Sequence, residues 1–77
     1  MALIQVTLIE GVLTAAQKHE IVERLSDAMA SIEGESMRTH ISCLVAEVAS
    51  GDWGIGGHAL TADDVRALAR IEPGDRP

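Results

Sequence analysis

The 77-residue chain contains no Phe and no Tyr, and Trp53 is its single aromatic side chain. A core built without large aromatic rings must be assembled from aliphatic groups. Cys43 has no second cysteine, which excludes an internal disulfide. His19, His40 and His58 fall in none of the HxH, HExxH or CxxC spacings that set two metal ligands on one face of a local element. No metal or other cofactor is therefore expected. Basic residues are few: Lys18, Arg24, Arg38, Arg66, Arg70 and Arg76 stand scattered among twelve acidic ones, for a net charge of −6. Displacing counterions from phosphates requires a basic stripe, so a nucleic-acid partner is not expected. No apolar run approaches the roughly 20 residues of a membrane span, and the start lacks a basic segment ahead of a signal-like core. A soluble, cytoplasmic domain without a membrane partner is the expectation.

What the chain does hold is aliphatic: 47% of its residues are hydrophobic and its mean hydropathy is +0.16. A single domain of this size buries barely enough apolar surface to offset the entropy of ordering it, and such domains usually add disulfides, a metal or partner subunits. With the first two set aside, oligomerisation remains.

Residues 2–9 alternate as a strand, with Ile4, Val6 and Leu8 on one face and Leu3, Gln5, Thr7 and Ile9 on the other. Glu10-Gly11 ends it. Thr14 stands three residues before Gln17, a capping-box spacing that predicts a helix beginning near Ala15. Ile21, Val22, Leu25, Ala28, Met29 and Ile32 continue it as one apolar stripe, and Gly34 is its natural stop. A second strand is predicted over about Thr39–Val48, with Ile41, Cys43 and Val45 on one side and Ser42, Leu44 and Ala46 on the other. Strand, helix and strand at this spacing make a βαβ unit with parallel strands. Four glycines among Gly51–Gly57 predict a hairpin. Thr61-Ala62-Asp63-Asp64 starts a second helix, Ala62–Arg70, which offers Val65, Leu68 and Ala69 to a core. Glu72–Pro77 should fray. The fold class is α/β (α+β): a β-α-β domain over 1–60, with a hairpin, followed by a short extra helix and flexible tail over 61–77.

Most chemistry-bearing residues have an ordinary explanation. Gly54-x-Gly56-x-x-Ala59 formally matches a relaxed dinucleotide fingerprint, but too little chain follows it for the βαβ unit that the mechanism needs. Cys43 reads as a small strand residue, since no basic neighbour is specified to lower its pKa. Lys18, His19, Glu20, Glu23 and Arg24 read as the solvated face of the first helix. Asp52 reads as a turn residue, ahead of a carboxylate that activates water. Trp53, alone in a glycine-rich turn, is either a plug between subunits or the wall of a small-molecule pocket.

The assembled pattern resembles the 4-oxalocrotonate tautomerase family. The resemblance rests on Ala2-Leu3-Ile4-Gln5-Val6, Ile9-Glu10-Gly11, Gln17-Lys18 and Glu47-Val48-Ala49-Ser50-Gly51-Asp52-Trp53-Gly54-Ile55-Gly56-Gly57, and covers about residues 2–60. It implies a β-α-β tautomerase-like fold, a homohexamer built as a trimer of dimers, and a pocket lined by more than one subunit. It implies proton shuttling on small keto/enol acids, with an amino-terminal proline as base and two arginines for carboxylates. Here the proline position is Ala2, and the arginine positions are Val12 and Ser42. Trp53 keeps the aromatic position. The implied substrate pocket is Trp53, Val12, Ser42, Leu3 and Ile9, with the terminal amine of Ala2 as the candidate base once Met1 is removed. Two functions follow as expectations. One is an altered or weak keto-enol tautomerase acting on a small carbonyl compound. The other is a non-catalytic subunit, ligand-binding or paired with a proline-bearing subunit in a heterohexamer.

Overall fold

Thr14 opens the longest element by a reciprocal cap. Its side chain accepts the Gln17 backbone N–H at 3.1 Å, while the Gln17 side chain accepts the Thr14 N–H at 2.9 Å. The computed structural model describes residues 1–70, so the expected fraying of Glu72–Pro77 lies outside it. In chain order the elements are β1 (Ala2–Ile9), α1 (Ala15–Glu33), a 3-10 helix (Glu35–His40), β2 (Ile41–Val48), β3 (Trp53–Ile55), β4 (His58–Leu60) and α2 (Ala62–Arg70). This is a mixed α+β order: β-α-β, then a hairpin and a short helix.

The chain forms two compact units. The first comprises Met1–Thr7 and Leu13–Ala46; the second comprises, among the described residues, Leu8–Val12 and 47–70. β1 and β2 are neighbours in one hydrogen-bonded sheet.

In the first unit both strands alternate strictly. Ala2, Ile4, Val6, Ile41, Cys43 and Val45 are half-buried, while Leu3, Gln5, Thr7, Ser42, Leu44 and Ala46 are exposed. The α1 stripe divides. Ile21, Val22, Leu25 and Met29 are half-buried, whereas Ala28 is exposed and Ile32 is 80% exposed. Residues 28 and 32 are one turn apart and continue an outward flank of the helix. The buried position is instead Ala30, whose single methyl allows close approach. Lys18, expected on the solvated face, is half-buried.

The second strand begins later than its β-branched Thr39 predicts. Thr39 and His40 belong to the 3-10 helix, and β2 starts at Ile41. The reason is an electrostatic clamp. Arg38 Nη1 donates to Asp27 Oδ1 of α1 at 2.6 Å, and its Nε donates to Glu35 Oε2. That clamp outweighs the strand preference of one threonine.

In the second unit, the Glu10 N–H donates to the Val48 carbonyl at 2.8 Å, so β1 and β2 end side by side, as parallel neighbours do. β3 and β4 pair antiparallel with Trp53 opposite Leu60 and Ile55 opposite His58. The two residues between them, Gly56 and Gly57, both have positive φ, as a tight two-residue hairpin turn requires. α2 is capped by Thr61, whose Oγ1 accepts the Asp64 N–H at 3.2 Å. Its Ala62 is buried and donates its N–H to Ser50 Oγ at 2.9 Å. Leu68 and Ala69, offered to a core by the sequence, are exposed, and Val65 alone of that trio is half-buried. α2 is thus anchored through its first turn.

Candidate functional site

The candidate residues fall in both units. In the first, Ala2 is the half-buried opening residue of β1, with Leu3 beside it on the exposed face. Ser42 occupies an exposed position of β2. The Met1 ammonium lies 3.8 Å from Glu33 Oε2, with the Met1 side chain almost fully exposed. The terminal nitrogen of the 77-residue chain therefore sits one residue ahead of Ala2, beside a carboxylate.

In the second unit Ile9 is buried, and Val12 and Trp53 are half-buried. Trp53 opens β3, and its place is fixed by the hairpin register and by the turn ahead of it. There the Asp52 N–H donates to the Ala49 carbonyl at 2.9 Å and the Gly51 N–H to the Leu60 carbonyl at 3.0 Å. Asp52 thus closes a turn. The Gly54–Ala59 stretch is a hairpin, so its glycines bend a strand pair and do not stand beneath a helix terminus as a phosphate loop would.

The arginines differ in what they touch. Arg38 is engaged by both Asp27 and Glu35. Its guanidinium, donating to Glu35, holds that carboxyl below the ordinary carboxylate value, and the same two hydrogen bonds raise the guanidinium's own pKa. Arg24 pairs with Glu20 one turn earlier on α1. Arg66 reaches across the sequence: Nη1 donates to the Gly11 carbonyl, and Nη2 lies 2.5 Å from Asp63 Oδ1. Spacing alone gives no sign of the Arg66–Gly11 contact, because 55 residues separate its partners.

Elsewhere in the first unit an open apolar groove of about 420 Å³ runs along α1, lined by Leu13, Gln17, Glu20, Ile21, Arg24 and Leu25. It contains none of the candidate residues, and its polar rim is the Glu20–Arg24 pair. Cys43 is a half-buried free thiol. Among the described residues, no group of three or more His, Cys, Asp or Glu could hold a metal ion, and no helix is long and apolar enough to cross a membrane.

Residues 3–63 match the family model described as tautomerase enzyme. The chain belongs to the tautomerase family. Solved structures agree with that membership. The crystal structure of apo unfused 4-OT is 30% identical, with a TM-score of 0.67 over 82% of this chain and 97% of that one. A 4-oxalocrotonate tautomerase homologue is likewise 30% identical, with a TM-score of 0.67, covering 83% and 95%. DmpI from Helicobacter pylori is 28% identical, with a TM-score of 0.64, covering 75% and 94%. No curated protein matches. The tautomerase match ends at residue 63, inside the first turn of α2, so Arg66 lies beyond it.

Proposed function

We propose that this tautomerase-family protein interconverts the keto and enol forms of a small carbonyl compound, with activity altered or weak relative to a proline-bearing member. The base is the amine of Ala2 after removal of Met1. The observation that carries this reading is Ala2 itself, the half-buried first residue of β1 in a chain that belongs to the tautomerase family. An α-amino group ordinarily titrates near about 7.7–8.0. In its neutral form such an amine can accept a proton as a general base. As a primary amine on a flexible residue it is less constrained than a pyrrolidine ring. Trp53, Val12, Ile9, Leu3 and Ser42 are the pocket residues that this reading carries over from the family resemblance. The substrate this lining suits carries less charge than a dicarboxylate, because neither Val12 nor Ser42 offers charge-assisted hydrogen bonds.

The assembly belongs to the same reading: a homohexamer, as a trimer of dimers, in the cytoplasm. Exposed Leu3 and Leu44 on one face of the β1–β2 sheet, with exposed Ile55 on the hairpin, support covering by other copies. Light scattering on the purified protein tests this, and a stable monomer overturns it.

Intact mass decides whether Met1 is removed. With Met1 absent, ketonisation of phenylenolpyruvate should be measurable at high enzyme concentration, and Ala2→Pro should raise the rate by at least about tenfold if the ring's constraint is what the primary amine lacks. The substitutions at Ala2, Val12 and Ser42 favour a second reading, a non-catalytic subunit that binds a ligand or joins a proline-bearing partner. Retained Met1 together with no turnover selects it.

A further inference from the structure

Among the described Lys and Arg side chains, Lys18, Arg24 and Arg38 belong to the first unit, and Arg66 belongs to the second. Arg66 thus shares its unit with Trp53, Ile9 and Val12. Two contacts define its guanidinium. Nη1 is tethered to the carbonyl of Gly11, the residue directly before Val12, and Nη2 meets Asp63. The tether is to a neutral backbone oxygen, so it positions the cation without neutralising it. Asp63 is the neutralising partner, and it is a poor competitor, with a side chain 87% exposed. An exposed pair one turn apart on a helix is screened by water and gains little. A carboxylate brought by a ligand can take its place, and a guanidinium is the side chain best shaped to receive one through paired N–H donors.

From this geometry we infer that Arg66 of α2 binds a ligand carboxylate beside the Gly11–Val12 turn, and that the ligand is a small carboxylate with an apolar body. The inference rests on the proposed substrate pocket but not on turnover. It assigns the anion-binding role to a residue beyond the tautomerase match, in place of one on the β1–α1 turn. Asp63 acts as an internal stand-in for that carboxylate when the ligand is absent.

Trp53 is the sole aromatic chromophore, so its fluorescence reports binding to the intact chain without any need for catalysis. Phenylacetate and its methyl ester are the probes, identical in their apolar part and different in charge. The unmodified protein should bind phenylacetate at least tenfold more tightly than the ester. Arg66→Gln should abolish that preference and leave ester affinity within about twofold; Arg66→Lys should keep part of it. Asp63→Asn removes the internal competitor and should tighten phenylacetate binding several-fold while leaving the ester unchanged. Equal loss of both probes in Arg66→Gln assigns the residue a purely structural role and overturns the inference. So does an absence of carboxylate preference, or of any binding, in the unmodified protein, or an Asp63→Asn variant that binds no tighter. Binding that follows this pattern without phenylenolpyruvate turnover leaves the Arg66 assignment standing and removes the catalytic reading.

Discussion

Arg38 in the first unit and Arg66 in the second are built on the same local pattern, an arginine three residues after an acid: Glu35 for one, Asp63 for the other. They differ in the second partner. Arg38 adds Asp27, so its cluster carries two carboxylates around one cation and a formal charge of −1. Arg66 adds the Gly11 carbonyl, which is neutral, so its cluster sums to zero and keeps an exchangeable carboxylate. Two arginines of equal appearance in the sequence thus have opposite electrostatic standing. One is spent fastening the 3-10 helix to α1. The other is fastened in place with its charge answered by a single exposed side chain. Whether an arginine can receive an anion depends on how many carboxylates already hold it.

The strongest way to break this contrast is to disturb the tether at Gly11. Gly11 has φ +86°, and a Cβ there would meet the Ala62 Cβ at 3.4 Å and Arg66 Nη1 at 3.8 Å. A β-branched side chain at positive φ costs on the order of 2–3 kcal/mol. Gly11→Val should therefore lower the melting temperature by roughly 10 °C or more and remove the phenylacetate preference along with it. A melting temperature equal to that of the unmodified protein would show that the turn accommodates the side chain and that the tether is looser than its geometry implies.

Next in size is the pair of helix caps. Thr14→Ala breaks the capping box of α1 and should cost about 1 kcal/mol, read by chemical denaturation. Thr61→Ala removes the matching hydroxyl from the shorter α2. Nine residues make a marginal helix on their own, so here the larger consequence should be loosened anchoring of Arg66, seen as a weaker preference for phenylacetate over its ester. If Thr14→Ala weakens that preference as much as Thr61→Ala does, the two regions are not separable in the way the arginines suggest.

These elements were unequally legible before the structure. Thr14 and Gln17 announce α1 to the residue, because a capping box is a local chemical device; Gly34 likewise marks its end. The Gly51–Gly57 stretch announces a hairpin for the same reason, and the pair Gly56-Gly57 supplies its turn. Legibility fails where the deciding contact is distant or the deciding residue is small. Thr39 and His40 look like strand, yet the Asp27–Arg38 contact, eleven residues long, draws them into a 3-10 helix. Ala30 and Ala62 are buried because they are small, a property that an apolar stripe drawn through Ile32 or Leu68 does not register. For the candidate site, Trp53 stood out as the lone aromatic in a glycine-rich turn, while Val12 and Ala2 came from the resemblance. Arg66 did not, since the resemblance ends before it and its contact with Gly11 has no signature in spacing.

The smallest expected effect is on the Arg38 side of the comparison. Arg38→Ala should leave the phenylacetate preference unchanged, because the cluster already offers anions a net negative face. Its signature is instead a pH dependence of stability. Donation from Arg38 holds the Glu35 carboxyl below its ordinary value in the folded chain. As pH falls, the unfolded chain therefore takes up that proton first. The clamp's contribution is present in full above the ordinary carboxylate range and is lost as pH drops through the lowered Glu35 value. Melting temperatures of the unmodified protein and Arg38→Ala should accordingly differ slightly at pH 7 and converge in acid. The difference should also shrink in high salt, as an exposed ion pair requires. A gap that stays constant from pH 7 down through the carboxylate range would show that Arg38 acts by packing its aliphatic stem. The count of carboxylates would then not be what separates the first unit's arginine from the second's.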